Sequence, residues 1–315
     1  MFIPEVKSKS TEDISILIKL DNHSFNYICE CGDASALTVK DCQNTRAIFI
    51  SHTHIDHFIN FDFILRHQIG TGKRVIVCGP EGITKQIQAK IKAYQWNLIS
   101  SDAITYEIRE IRQEQQVLRA EIIPPLWEIK ELEPINDEFV YSNEIFDVSV
   151  VILDHKTDSI SYLFKEKNTL KINLSQTDFK GGPWVRTLMS AYENNLGEKK
   201  IMIDNKAYQA KDLFQLMILK EGDSLGIIMD HAANEANHAK IKVKFTNCNK
   251  VFIESFYKEE DKEFATLNYH SYTKASAKIM KACNVETAIP VHFSRKYNEE
   301  DLVTLLSEFH EAFSL

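Results

Sequence analysis

The first half of the chain alternates between short apolar runs and helical segments. The runs are rich in β-branched residues and are bounded by turn residues, which is typical of buried strands. The predicted strands are residues 14–20, 25–29, 46–50 and 74–78, and the predicted helices are 34–42, 59–66 and 83–95. Because these strands are apolar on both faces, the pattern favours sheets that are covered by helices.

The second half begins with a mostly twofold pattern and then returns to alternating strands and helices. Residues 165–222 differ, because they are rich in lysine and lack long apolar runs. We interpret them as an inserted arm, partly helical near 184–194, within a single domain that spans residues 1–315. The remaining predicted strands are 120–124, 139–141, 146–153, 159–164, 225–229, 250–254 and 287–291, and the remaining helices are 271–283 and 299–313.

Imidazole and carboxylate side chains directly follow four of the predicted strands. Such groups are costly to bury unless they are paired, so they are not ordinary core residues. They are His52, His54, Asp56 and His57 after the first of these strands, and then His155, Asp230 and His292. Strand ends that converge at one edge of a sheet bring such residues together, so we expect one site.

Ligands of this type, without thiolates, suit zinc, and they also suit manganese or iron. The spacing H-x-H-x-D-H suits two ions side by side, and Asp230 is the natural bridge between them. Two ions roughly 3.5–4 Å apart activate a water and stabilise the oxygens of a displacement. Taken singly, His155 is more typical of a core or surface histidine than of a ligand, and His292 is compatible with a strand cap. Asp230 is compatible with a helix cap, in which case His231 is the ligand.

Composition narrows the classes of function. The chain has 315 residues, of which 44% are hydrophobic, and 45 acids against 37 bases give a formal net charge of −8. This negative net charge argues against general, non-specific binding along nucleic acid. Residues 165–200 nevertheless carry seven Lys or Arg against four acids. The six cysteines form no C-x-x-C pair, and no run approaches the roughly 18 apolar residues of a membrane span. We expect a soluble, cytoplasmic protein.

The first motif, His52 to His57, resembles the metallo-β-lactamase superfamily, and later motifs resemble its ribonuclease Z branch, which comprises tRNA 3′-endonucleases. The likeness extends from about residue 25 to residue 300. The stretches that carry it are Cys29-Glu-Cys-Gly-Asp33, Cys78-Gly-Pro-Glu-Gly-Ile83, Lys180-Gly-Gly-Pro-Trp184, His270-Ser271 and Val291-His-Phe-Ser-Arg-Lys-Tyr297.

The resemblance implies a role for each candidate residue. One metal would be held by His52, His54 and His155, the other by Asp56, His57 and His292, with Asp230 bridging. Asp56 would assist the attack of water on the phosphodiester, and His270, oriented by Glu254, would donate a proton to the leaving 3′-oxygen. Ser294 and Arg295 would bind phosphate, although a surface salt bridge is an equal interpretation of Arg295.

Several positions depart from the family pattern. Phe58-Ile59-Asn60-Phe61 stands where the first motif is usually followed by glycine. Tyr269 replaces the glycine before the H-S-T histidine, and Tyr272 replaces its threonine. The bridging aspartate lies in Met229-Asp230-His231 instead of a G-D-T context. These differences indicate a divergent member of the branch.

We therefore predict an α/β protein with the αβ/βα four-layer sandwich of the superfamily, in which two mixed sheets lie between outer helices. The first functional hypothesis is a dinuclear-metal phosphodiesterase, namely a ribonuclease Z-like endonuclease that acts on the 3′ end of precursor tRNA. The alternatives are a small-molecule phosphodiesterase or ester hydrolase on the same fold, and a non-catalytic nucleic-acid-binding or assembly subunit. The resemblance also implies two divalent ions, an RNA partner and a homodimer.

Overall fold

The structure is a computed structural model that describes residues 1–314, with the side chain of Gln115 left aside. The chain forms two compact units. The first consists of residues 1–165 together with 223–315, and the second of residues 166–222. Within the described residues, every helix falls short of the length and apolar character that crossing a membrane requires.

The first large sheet lies in the first unit and has eight strands in the order β1-β2-β3-β4-β5-β6-β7-β8. Strands β3 to β6 run parallel, whereas the pairs at either end of the sheet are antiparallel. The strands are β1 Phe2–Val6, β2 Ile16–Leu20, β3 Asn26–Cys29, β4 Thr45–Phe49, β5 Arg74–Pro80, β6 Thr105–Ile111, β7 Val117–Ile123 and β8 Glu128–Ile135.

The second large sheet belongs to the same unit and has six strands in the order β18-β17-β16-β11-β10-β9. Strands β16, β17 and β18 are parallel to one another, while β11 pairs antiparallel with β16. The strands are β9 Phe139–Ser142, β10 Phe146–Asp154, β11 Asp158–Glu166, β16 Ser224–Ile228, β17 Lys250–Glu254 and β18 Thr287–Val291. Both large sheets are therefore mixed.

The main core lies between the two sheets and is rich in aromatic rings. Tyr27 and Phe49 from the first sheet pack against Phe146 and Phe164 from the second, and all four are fully buried. The ring centroids of Tyr27 and Phe146 are 5.0 Å apart, as are those of Phe49 and Phe164. Edge-to-face contacts of this kind fix the two sheets relative to each other beyond simple apolar burial.

Helices cover the outer faces of both sheets. Phe61 of α3 and Ile87 of α4 pack on the first sheet, whereas Ile241 of α7 and Met280 of α9 pack on the second. The helices of this unit are α1 Val39–Asn44, α2 Ile55–Phe58, α3 Phe61–Gln68, α4 Ile83–Lys92, α7 Glu235–Phe245, α8 Lys262–Asn268, α9 Thr273–Ala282 and α10 Glu299–Ser314. Short 3₁₀ helices span Gln113–Gln115 and Glu259–Asp261. The predicted four-layer sandwich of two mixed sheets with outer helices is confirmed.

The second unit has a small core of its own, built around Trp184, Leu188 and Ile201. Pro183 begins its longer helix, which suits a residue that lacks an N–H, and the helix coincides with the segment predicted near 184–194. Its elements are β12 Thr169–Ile172, β13 Lys200–Ile203, β14 Lys206–Gln209, β15 Met217–Lys220, α5 Pro183–Glu193, α6 Ala210–Leu213 and the 3₁₀ helices Leu174–Gln176 and Phe214–Leu216. That this unit acts as an inserted arm remains a prediction.

Some element boundaries differ from those predicted. The helix expected over 34–42 begins only at Val39, because Thr38 and Asp41 form a reciprocal capping box that fixes its start. The sequence pattern did not identify helix α7 or strands β1 and β8. Strand β8 is an edge strand whose residues are mostly exposed, so it lacks the apolar alternation on which strand prediction depends.

Replacing Phe146 by alanine should destabilise the first unit strongly. Phe146 is fully buried and its ring contacts four other aromatic rings between the sheets. We expect Phe146→Ala to lower the free energy of unfolding by about 3–5 kcal/mol, measured by urea denaturation. Leu98→Ala is the control, because that side chain is 94% exposed. Equal transition midpoints for the two variants would contradict this view of the core.

Candidate metal centre

Four strands of the first unit end at the candidate site. Strand β4 leads into the first histidine motif, while β10, β16 and β18 are followed by His155, Asp230 and His292. The residues form two groups in which the potential ligand atoms all lie within 4.8 Å of one another. One group is His52, His54, His155 and Asp230, and the other is Asp56, His57, Asp230 and His292. The structure thus brings together all seven residues that the sequence singled out as ligands.

Asp230 is common to both groups, and its two carboxylate oxygens face different partners. Oδ1 lies 3.0 Å from Nε2 of His292 and 3.4 Å from Nε2 of His57. Oδ2 lies 3.5 Å from Nε2 of His155 and 3.9 Å from Nε2 of His52. A carboxylate placed in this way can contribute one oxygen to each of two neighbouring ions.

Hydrogen bonds at Nδ1 orient three of the imidazoles toward the centre of the site. The Nδ1 atom of His52 lies 3.0 Å from Oγ of Ser51, and that of His155 lies 2.6 Å from the carbonyl oxygen of Tyr269. The Nδ1 atom of His57 lies 3.0 Å from Glu30 Oε2. Because a partner at Nδ1 leaves Nε2 for the metal, such contacts are usual around metal-binding histidines.

The donor set fits divalent metal ions on two grounds. Nε2 of His52 and Oδ1 of Asp230 are buried and make no hydrogen bond within the described part of the chain. Unpaired buried polar atoms are costly, and a cation would satisfy both. Burial, together with the neighbouring His57, also holds the pKa of His52 well below its ordinary value, so this imidazole is neutral as a ligand must be.

The other group is more strongly charged. Burial opposes ionisation of Asp230, but His292 and His57 outweigh it and hold the pKa of the carboxyl well below its ordinary value. Burial likewise opposes a charge on His57, yet the carboxylates of Asp230 and Glu30 raise its pKa well above the ordinary value. The carboxylates of Asp230 and Glu30 thus stabilise a proton on His57, and a metal ion bound by this group would take the place of that proton.

Glu30 is a participant that the sequence interpretation missed. Its side chain is fully buried, and it accepts hydrogen bonds from the Ser51 backbone N–H at 2.9 Å and from His57 Nδ1 at 3.0 Å. It therefore fixes the beginning and the end of the first motif at once. An acid that directly follows the fully buried strand β3 was the available signal, because such a position demands a partner.

The turn after Glu30 packs tightly under the first motif. A Cβ atom on Gly32 would lie 2.3 Å from the Asp56 carbonyl oxygen, so only glycine fits there. The backbone N–H of Cys31 bonds the His57 carbonyl at 2.8 Å, and the side-chain amide of Asn60 bonds the Gly32 carbonyl. Asn60, which departs from the family pattern, thus ties the helix after the motif to this turn.

A second acid–imidazole pair lies beside the two ligand groups. Glu254 is fully buried, and its Oε1 accepts a hydrogen bond from Nδ1 of His270. Burial alone would lower the pKa of His270, but the carboxylates of Glu254 and Asp230 raise it to about 9. The ring of Phe256 stacks on this imidazole, with centroids 3.9 Å apart and planes at 5°. No sequence signal pointed to Phe256.

The remaining candidates lie at the margin of the site. Ser294 is buried, and its backbone N–H bonds the Phe256 carbonyl at 3.0 Å. The side chain of Arg295 is 65% exposed, and its guanidinium forms an ion pair with Asp13. His231, considered as an alternative ligand, belongs to neither group. Its Nδ1 lies 2.9 Å from the Met229 carbonyl oxygen. The phosphate-binding roles of Ser294 and Arg295 remain predictions.

No family model matches the chain. Among known proteins, a ribonuclease Z from Deinococcus radiodurans is 23% identical over 313 residues, which cover 96% of this chain and 92% of that protein. A ribonuclease Z from Borrelia hermsii is 26% identical over 309 residues, which cover 94% and 85%. The chain therefore resembles proteins named ribonuclease Z over nearly its whole length, as the motifs predicted.

Solved structures agree on the fold. The short form of human tRNase Z superposes with a TM-score of 0.57 at 14% identity. The match covers 93% of this chain and 90% of the tRNase Z chain. A metallo-β-lactamase fold protein from Bacillus subtilis gives a TM-score of 0.58 at 11% identity and covers 99% and 92%. The chain thus has the metallo-β-lactamase fold.

Replacing Glu30 by glutamine should weaken metal binding while the fold is kept. A glutamine oxygen can accept from only one of the two donors, so its amide N–H₂ must face either Ser51 N–H or His57 Nδ1. We expect the affinity for Zn²⁺ to fall by about 10- to 100-fold, measured by competition with a chromophoric chelator. Glu81→Gln, at a carboxylate that is 61% exposed, is the matched control. Wild-type affinity in Glu30→Gln would refute the role of Glu30.

Proposed function

We propose that the chain is a metal-dependent hydrolase, and more narrowly a ribonuclease Z-like endonuclease that cleaves precursor tRNA near its 3′ end. The observation that carries the proposal is the pair of ligand groups that share Asp230, with the His270–Glu254 pair beside them. Two groups of metal-binding side chains and an adjacent proton donor suit the two-metal cleavage of a phosphodiester. The resemblance to ribonuclease Z proteins supports the choice of RNA as substrate.

We propose two divalent ions as cofactors. His52, His54 and His155 would hold one, Asp56, His57 and His292 the other, and Asp230 would contact both. When bound, such ions supply Lewis acidity toward phosphate oxygens and water. Zinc is the ion we favour, because imidazole with carboxylate is its usual donor set at catalytic sites; manganese and iron accept the same donors.

Asp56 is placed to take a proton from the attacking water. Its carboxylate is about one-third exposed, unlike the other acids of the site, so it borders both the ligands and solvent. Oδ2 lies 3.8 Å from Nε2 of His57 and 3.7 Å from Nε2 of His292. A carboxylate in this position orients a water within the ligand group and accepts its proton.

His270 acts at the other end of the reaction. Glu254 binds the Nδ1 proton, which fixes the orientation of the ring and leaves Nε2 to donate a proton to the leaving 3′-oxygen. The raised pKa of His270 keeps this imidazole protonated at neutral pH before metal and substrate bind. Phe256, stacked on the ring, excludes water from one of its faces.

We propose that the protein acts in the cytoplasm, which agrees with six free, buried cysteines. We further propose that it forms a homodimer and that the unit of residues 166–222 contacts RNA. The excess of basic residues over 165–200 supports that contact, since Lys and Arg neutralise phosphates.

Purified protein should cleave a 3′-extended precursor tRNA in the presence of Zn²⁺ or Mn²⁺. Chelation should abolish the activity, because the donor groups alone supply no Lewis acid. Metal analysis should give two ions per chain, and Asp56→Ala should be inactive while its thermal unfolding is unchanged.

Hydrolysis of bis(p-nitrophenyl) phosphate without cleavage of any tRNA would instead favour a small-molecule phosphodiesterase. Absence of both activities and of bound metal would favour the non-catalytic hypothesis.

The role of His270 as proton donor can be tested by changing the leaving group. A ribose 3′-oxygen needs a proton to leave, whereas p-nitrophenolate leaves without one. We expect His270→Ala to lower the rate of RNA cleavage by about 10²–10⁴-fold and to spare the aryl ester. Asp56→Ala, which acts on the attacking water, should impair both substrates and serves as the contrast. Equal loss on both substrates in His270→Ala would refute the assignment.

A further inference from the structure

Asn237 makes three hydrogen bonds that connect two of the ligand-bearing strand ends. It lies on helix α7 and is 1% exposed. Its Oδ1 accepts from the backbone N–H of Asp154 at 2.9 Å. Its Nδ2 donates to the carbonyl oxygens of Asp154 and Ala232, each at 2.9 Å. The two backbone segments it joins carry His155 and Asp230.

The sheet itself does not connect these two strand ends. His155 follows β10 and Asp230 follows β16, and β11 lies between them in the strand order. With neighbouring strands roughly 4.8 Å apart, the two ends have no shared ladder of hydrogen bonds. Apart from the bond between Ala232 N–H and the Asp154 carbonyl, at 2.8 Å, Asn237 makes the direct connection between them in the described part of the chain.

We infer that Asn237 is a positioning residue that holds His155 and Asp230 at their mutual distance for metal binding. The inference rests on the proposed metal site. Only an amide of this length offers one acceptor and two donors to the three backbone groups. Aspartate would keep the acceptor but would place a charge against two carbonyl oxygens, and leucine would leave all three backbone groups unpaired.

The connection through Asn237 closes a ring of contacts around this side of the site. Oε2 of Glu254 accepts from the backbone N–H groups of His231 and Ser271, each at 3.1 Å. The carbonyl of Tyr269 in turn accepts from His155 at 2.6 Å. The three loops are thus connected pairwise. Without Asn237, the loops of His155 and Asp230 would be joined in the described part of the chain by the Ala232–Asp154 backbone hydrogen bond and would lose the three bonds of the amide.

The test uses Asn237→Leu and Asn237→Asp in the full chain, with Asn234→Ala as the matched control. Asn234 caps the same helix by accepting from the Asn237 backbone N–H at 2.9 Å, and among the described residues its side chain makes no bond to the backbone of the ligand loops. Its removal therefore reports the effect of losing the helix cap while the three side-chain bonds of Asn237 are kept. If Asn237→Leu fails to fold, the nearly isosteric Asn237→Asp carries the test.

Two measurements separate positioning from a merely structural role. Asn237 variants should bind Zn²⁺ about 10-fold more weakly than wild type. Asn234→Ala should keep wild-type affinity although loss of the cap lowers its unfolding midpoint. In metal-free protein, the amides of Asp154 and Ala232 should exchange faster in the Asn237 variants, while the Ser51 amide should not change. Wild-type affinity together with wild-type exchange at Asp154 and Ala232 would overturn the inference.

The outcome also distinguishes this inference from failure of the proposed function. A wild-type protein that binds neither Zn²⁺ nor Mn²⁺ contradicts the proposed function directly. In that event, amide exchange at Asp154 and Ala232 alone decides whether Asn237 holds the two loops together. Unchanged exchange in the Asn237 variants then refutes the inference, and faster exchange supports it.

Discussion

The buried carboxylate of Asp230 is the group on which the site depends. It is 2% exposed, and an ion so placed is unstable unless charge of opposite sign and hydrogen-bond donors surround it. Five imidazoles, those of the four histidine ligands nearest to it and of His270, approach its two oxygens within 3.9 Å. The fold must therefore bring the ends of β4, β10, β16 and β18 to one point. The aromatic core between the sheets is what holds the strands in that arrangement.

Two further acids extend the same pattern of charge. Glu30 and Glu254 are both fully buried, and each holds an imidazole that also approaches Asp230. His57 lies between Glu30 at 3.0 Å and Asp230 at 3.4 Å, and His270 lies between Glu254 and Asp230, 3.6 Å from the latter. Acid and imidazole thus alternate across the site. Because neighbours in this series have opposite charge, a change at either outer acid alters the proton affinity at its centre.

The ligands could be predicted from sequence because each follows an apolar strand, and strand ends are local features. The groups that hold the ligands could not be predicted in the same way. Glu30 contacts His57 across 27 residues and Asn237 contacts Asp154 across 83. The position of Glu30 after a buried strand indicates that it needs a partner, but the local sequence of neither residue identifies that partner. Arg295 forms an ion pair with Asp13, which lies 282 residues away in the sequence, so the motif around Arg295 does not predict this contact. The sequence motifs therefore identify the ligand residues, whereas the residues that hold the ligands in position are identified only in the folded structure.

The positions that depart from the family pattern show how the site accommodates divergence. Asn60 replaces part of a glycine-containing turn, and its amide bonds the Gly32 carbonyl, so the new side chain adds a contact to the first motif. Tyr269 adopts a left-handed conformation with φ of 59°, which glycine adopts without strain. Its carbonyl is the group that orients His155, so a tyrosine here adopts the backbone geometry that glycine favours. The contacts at these positions come from the backbone or end on it, and such contacts survive substitution when the turn keeps its shape. The buried acids cannot be substituted in the same way, because a backbone group carries no charge and cannot replace that of a carboxylate.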